Sequence, residues 1–194
     1  MPDLEFTLFD TAIGCCGIVW SARGLAGVQL PESSEAATRA RVLKRFRSAQ
    51  ETTPPPEMKK TMDGIMALLR GEARDLTDVK IDDAGTPEFN ARVYAIARTI
   101  PPGKTMTYGE IAERLGDKLL AREVGAALGQ NPCPIVMPCH RVLAAGGKSG
   151  SFKTGGFSAS GGVVTKLKLL SIEGAQPGGP TLFDRLPLVA RRAR

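Results

Sequence analysis

Histidine is almost absent: the 194 residues hold one, His140. Cysteine is scarce too, with four, and none stands in a Cys-x-x-Cys pair. A structural zinc takes four nitrogen or sulfur ligands, commonly from such pairs, so no metal site is expected. Cys15 and Cys16 are adjacent while Cys133 and Cys139 lie far along the chain, which is no disulfide framework and fits a reducing compartment. No apolar run approaches the roughly 18 residues that read as a membrane span. The opening, Met1-Pro2-Asp3-Leu4-Glu5, is acidic and lacks the pattern of a secretory signal. A cytoplasmic protein without membrane association is the expectation. Gly147-Lys148-Ser149 lacks the strand, the first glycine and the helix of a phosphate-binding loop, so a nucleotide is not inferred from it.

What is present is unevenly placed. The net charge is +6. Residues 1–80 carry 11 basic and 11 acidic side chains, and residues 81–194 carry 15 and 9. The whole excess therefore sits in the second part, which suits a polyanionic partner; the plainer reading is a basic, soluble surface.

The N-terminal third reads as a small α/β domain over residues 1–80. Phe6–Phe9, Gly14–Trp20 and Leu25–Leu30 alternate as three short strands, with Ser21-Ala22-Arg23-Gly24 as a turn. Ser33 or Ser34 caps a helix that would bury Ala36, Ala40, Leu43 and Phe46 and leave Arg39, Arg41, Lys44, Arg45 and Arg47 on a basic face, which could touch DNA but reads more simply as solvated. A second helix runs from about Glu57 to Arg70, stopped by Gly71. Cys15 and Cys16 point to opposite faces of a strand and read as structural. Residues 75–86 are the connection.

Residues 86–176 read as a mainly α-helical second domain. A helix from Pro87 carries Phe89, Val93, Ile96 and Ala97 on one face. Thr107-Tyr108-Gly109-Glu110 is a capping box opening a short helix that buries Ile111, Ala112 and Leu115 and stops at Gly116. Ala121 to Gly129 forms another, with Val124, Ala127 and Leu128 inward. Two short helices and a tight turn predict a helix-turn-helix. The second of them is smooth, rich in Ala and Gly, and Arg122 is its one long basic side chain; alone it reads as a surface arginine. Prolines 132, 134 and 138 exclude a helix and predict an extended approach that delivers Cys139 beside His140. On a strand the two side chains would diverge, so either the chain turns there or His140 reaches the sulfur through a water. Residues 177–194 are read as a basic, mobile tail.

Pro138-Cys139-His140-Arg141-Val142, preceded by Asn131-Pro132, resembles the active-site signature of the O6-alkylguanine-DNA alkyltransferases, and the likeness extends from about Thr86 to Gly174. The resemblance implies a direct-reversal repair protein. An alkyl group would pass from O6 of guanine, and less readily O4 of thymine, to Cys139, once per molecule and without a cofactor. The base must leave the stack for sulfur to reach it. The partner implied is double-stranded DNA carrying O6-alkylguanine, and a monomer is expected.

By the same resemblance, Ala121, Arg122 and Gly125 meet the minor groove and Arg122 fills the space of the flipped nucleotide. Glu123, beside it, departs from relatives with a small neutral residue there. His140 would activate Cys139 and Glu173 would orient His140; Tyr108 would donate to the guanine, and Asn131 would brace the turn before the cysteine. Arg141 is expected to be structural, tying this strand to its neighbours. For the pocket's aromatic-Ser pair the loop 144–162 offers two candidates, and Phe157-Ser158 stands at the usual distance from the last helix. A non-catalytic damage sensor and a helix-turn-helix regulator are the rivals. Cys139 argues against the first, and the lack of a second DNA-binding module against the second. A cysteine hydrolase would leave the basic half unexplained and has no evident oxyanion-hole motif.

Overall fold

A computed structural model describes residues 4–146 and 154–175. Phe152, the other aromatic residue of the 144–162 loop, the Gly-Lys-Ser at 147–149 and the tail 177–194 lie outside the described residues. Three strands, β1 (Glu5–Thr11), β2 (Gly14–Ser21) and β3 (Gly24–Gln29), form an antiparallel meander. The helix α1 (Glu35–Arg45) follows, capped by Ser34, whose hydroxyl accepts from the Ala37 amide. A two-residue strand, β4 (Gln50–Glu51), returns parallel to β1 and gives the order β3-β2-β1-β4. Then comes α2 (Pro56–Leu69), with proline at the start, where its missing donor costs nothing.

The face of α1 differs from the expected one. Thr38 and Val42 are buried, whereas Ala36, Ala40 and Leu43 are exposed. Gly17 and Gly27 of the sheet explain the rotation. A Cβ on Gly17 would sit 2.7 Å from Val42, and one on Gly27 2.4 Å from the Phe46 ring. The bare backbone is what admits Val42 and Phe46, so the helix turns that face inward. The Thr38 hydroxyl adds bonds to the Cys15 and Ser34 carbonyls.

Beyond the connection come α3 (Glu88–Arg98), β5 (Met106–Thr107), α4 (Tyr108–Arg114), a 3-10 turn at Lys118–Leu120, α5 (Ala121–Gly129), β6 (Val142–Leu143) and α6 (Val163–Ile172). The capping box forms as the sequence indicates: the Glu110 amide donates to the Thr107 hydroxyl, and the Thr107 amide to the Glu110 carboxylate. β5 and β6 pair in parallel and bring the start of α4 beside the segment that follows Cys139.

The two parts of the chain share one core. A single cluster runs from Phe9, Ile18 and Leu25 of the sheet through Ile65 and Leu68 of α2 to Val93, Val124, Ile135 and Cys139. The connection is itself stitched to β3: the Leu25 amide donates to the Lys80 carbonyl, and the Asp82 amide to the Leu25 carbonyl. No helix among the described residues is long and apolar enough to cross a membrane.

Candidate active site

The segment 131–138 is not the extended approach its prolines suggested. It is a compact turn. The Met137 amide donates to the Cys133 carbonyl at 2.8 Å, and Ile135 takes a positive φ of 75°. Asn131 staples the turn from inside. Its Nδ2 donates to the Met137 carbonyl at 2.6 Å and its Oδ1 accepts from the Cys133 amide at 2.9 Å. The donors the turn needs belong to Cys133, Met137 and Cys139, never to a proline, so the imino residues stiffen it at no cost in hydrogen bonds.

The turn is docked on the N-terminal sheet. The Val28 amide of β3 donates to the Pro132 carbonyl, and Arg45 at the end of α1 donates to the Asn131 carbonyl. The chain then enters a 3-10 turn at Cys139–Arg141, which removes the strand geometry that would have sent Cys139 and His140 apart.

Cys139 is 7% exposed. It borders a cavity of about 510 Å3 together with Tyr108, Ala121, Arg122, Gly125, Phe157 and Ser158. These come from the start of α4, the first turns of α5, the 3-10 turn and the irregular segment before α6. Gly155 is required where it stands: its φ is +68°, and a Cβ there would lie 2.9 Å from the Tyr108 hydroxyl. Arg122 and Glu123 are both exposed at the start of α5.

Behind the cysteine lies a buried polar cluster. His140 Nε2 and Glu173 Oε1 are 2.9 Å apart, with both side chains at most 1% exposed. Arg141 grips the same carboxylate, Nε to Oε2 at 2.8 Å and Nη2 to Oε1 at 2.8 Å, and also donates to the Ile100 carbonyl. The cation is thereby spent on structure, as the sequence suggested. Burial would push the Glu173 carboxyl up, but the hydrogen bonds from His140 and Arg141 win and hold it down at about 2.

Burial acts on His140 in the other direction and lowers its pKa, against the pull of Glu173. The ring is therefore neutral at pH 7. An ionised Glu173 accepts, so Nε2 carries the proton, and Nδ1 is left as a buried acceptor without a hydrogen-bond partner among the described residues. Burial also raises the Cys139 thiol, opposed by the Asn131 side chain, the Lys166 charge and the local backbone amides. At rest the sulfur is a protonated thiol with groups in place to receive its charge. Tyr108 is raised by burial and by Cys139, which keeps its phenol a donor.

Residues 88–175 match the family model described as 6-O-methylguanine DNA methyltransferase, DNA binding domain. A methylated-DNA–protein-cysteine methyltransferase of Methanothermobacter thermautotrophicus is 33% identical over 163 residues, covering 84% of this chain and 81% of that one. One from Mycobacterium bovis is 40% identical over 134 residues, covering 69% and 76%. This chain belongs to the methylated-DNA–protein-cysteine methyltransferase family. Among solved structures, the Mycobacterium tuberculosis O6-methylguanine methyltransferase superposes with a TM-score of 0.67 at 30% identity, over 88% of this chain and 93% of that one. A crystal structure of the Mycobacterium tuberculosis protein in complex with DNA gives 0.67 at 32% identity, over 88% and 92%.

Within this methyltransferase fold the ten residues singled out from sequence fall into three groups. Seven border the cavity: Tyr108, Ala121, Arg122, Gly125, Cys139, Phe157 and Ser158. Asn131 braces the turn beneath it, and His140 with Glu173 forms the buried pair. One residue was missed. Lys166 of α6 is fully buried, donates to the Val142 carbonyl at 2.6 Å and stands 5.6 Å from the centre of the Tyr108 ring. Burial lowers its pKa to about 8, while Cys139 opposes the change. Its signal lay in the periodicity. Lys166 shares the inward stripe of Leu169, Leu170 and Glu173, where a lysine needs a specific partner.

Proposed function

We propose that Cys139 is the acceptor of an alkyl group from O6 of guanine in DNA. The chain is a direct-reversal DNA repair protein that moves alkyl groups from DNA to one of its own cysteines, the activity of the family to which it belongs. The observation that carries the assignment to Cys139 is its place. It lies at the wall of the cavity, beside Tyr108 and Phe157, and its neighbour in sequence is the neutral His140 held by Glu173.

The chemistry follows from these environments. The thiol proton moves to His140 Nδ1, directly or through one water, and Glu173 stabilises the imidazolium that forms. Sulfur attacks the alkyl carbon opposite O6, a C–S bond forms and the C–O6 bond breaks. The electrons return to the guanine ring, and the Tyr108 hydroxyl supports the charge that develops there. The guanine takes up one proton, replacing the one that the thiol lost. The product thioether is inert, and no group among the described residues of the site could cleave it, so each molecule acts once.

Binding divides along the chain. Residues 86–176 act as the alkyltransferase domain, and α4 with α5 as a helix-turn-helix that lays α5 in the minor groove. Arg122, exposed at the start of α5, occupies the place of the extruded nucleotide, with Ala121 and Gly125 giving a smooth contact. Phe157 stacks on the flipped base and Ser158 bonds near O6. Residues 1–80 support the active-site turn, and the protein works as a monomer.

Intact-mass spectrometry after mixing with a duplex containing O6-methylguanine tests the proposal. One methyl replacing one proton, located on Cys139 and saturating at one per molecule, is expected. Tight lesion binding without a mass change would make the protein a damage sensor.

A further inference from the structure

A second cavity also reaches Cys139. It has a volume of about 420 Å3 and shares Cys139, Phe157, Ser158 and Gly129 with the first, but opens on the other side, towards β3 and α1. Its far wall carries Arg41, Lys44 and Arg45, with Glu32 as the acidic side chain among them. Glu32 and Arg41 are 4.0 Å apart, and Arg45 is anchored by its bond to the Asn131 carbonyl. Three cations against one carboxylate leave this wall basic. From sequence these side chains formed a basic helix face, read as solvated in preference to touching DNA.

Alkyl transfer itself says what such a space can hold. The reacting carbon lies between O6 and sulfur, and everything beyond that carbon stays attached to it before and after the C–S bond forms and the C–O6 bond breaks. The rest of a long substituent must therefore find room within its own length of the Cys139 sulfur. A methyl group needs no more room than a water, roughly 30 Å3; the second cavity is more than ten times larger.

We propose that this cavity receives the distal part of large O6 substituents and selects those that end in an anion, such as a carboxylate. The proposal rests on the reading of Cys139 as acceptor. Lys44 and Arg41 supply the attraction across the open side, and Pro134 and Leu30 give the chain an apolar bed.

The test is single-turnover transfer from three duplexes, carrying O6-methylguanine, O6-(4-carboxybutyl)guanine and its equally long neutral amide, O6-(4-carbamoylbutyl)guanine. In the wild-type protein the carboxylate substrate is expected to react about fivefold faster than the amide, the upper end for one solvent-exposed ion pair. In Lys44→Glu the ratio falls to one or below, and Lys44→Gln lies between; the O6-methyl rate of each variant reports whether fold and chemistry are intact. A wild-type ratio of one overturns the proposal. So does a variant that slows all three substrates equally and keeps the ratio, since Lys44 would then be serving the DNA backbone. Failure of the wild-type protein to take a methyl group at all would instead remove the assignment of Cys139, a separate result.

Discussion

Replacing Glu173 by glutamine separates two jobs that one carboxylate performs. The amide has the same size and its carbonyl can still accept from His140 Nε2. The nitrogen that replaces Oε2 cannot accept, and it faces the Arg141 Nε donor and the Gly103 amide, which lies 3.3 Å from that oxygen. Arg141 is then a buried cation with half its fork unpaired. Removing one partner of a buried pair costs about 3–5 kcal/mol. The Ile100 carbonyl still takes one of its protons, so the low end, about 3 kcal/mol, is expected. With a urea m-value of about 2 kcal/mol/M, the unfolding midpoint falls by about 1.5 M. Single-turnover alkylation of the folded variant should fall by about 10²–10⁴, the range for general-base assistance, because the imidazolium loses its counter-charge. The double variant Glu173→Gln/Arg141→Met removes the stranded cation. Most of the stability should return while transfer stays slow. Recovery of both together would mean that Glu173 acts only on folding, and the role given to the His140–Glu173 pair would be wrong.

Three further expectations follow from the same site. The Glu173 carboxyl is held at about 2 against an ordinary 4.5, so its contribution to stability is complete above pH 4.5 and is lost as pH falls towards 2; urea titrations should show Glu173→Gln with a flatter profile in that window than the wild type. The His140 pKa is lowered from 6.5 and that of Cys139 raised from 9.0, so the neutral pair persists between these values; the transfer rate should fall only below pH 6.5 on the acid side and stay flat upward until Lys166 loses its charge at about 8. In His140→Ala the rate should instead climb about tenfold per pH unit, following the thiolate fraction, and rapid-quench profiles at pH 5–9 distinguish the two. Asn131→Ala strands the Cys133 amide and leaves the Met137 carbonyl with the Cys139 amide as its remaining donor, and denaturation should register a loss of about 1–3 kcal/mol.

The parts of the fold governed by local chemistry were readable in the sequence. The three strands, the Ser34 cap and the Thr107–Glu110 box follow from alternation and capping, which act over a few residues. The inner face of α1 was not readable, because two glycines on the sheet decide it, and they lie far from α1 in the chain. The turn before Cys139 was misjudged for a related reason. Prolines exclude a helix but do not choose between an extended segment and a turn; the Asn131 side chain, bonding both ways, makes that choice. At the site, the residues carried by the signature could be named from sequence. Lys166 could be noticed only as a lysine in the inward stripe of α6; its role was not readable, since its partners, the Val142 carbonyl and the Tyr108 ring, are set by tertiary packing.

The bond from the Val28 amide to the Pro132 carbonyl joins the sheet to the reactive turn through main-chain atoms alone. Its proton can exchange with solvent only when the turn lifts off β3. Val28 is thus a native gauge of seating. Comparing its hydrogen exchange before and after alkylation would reveal whether the spent protein still holds its turn in place, with no label introduced and no side chain altered.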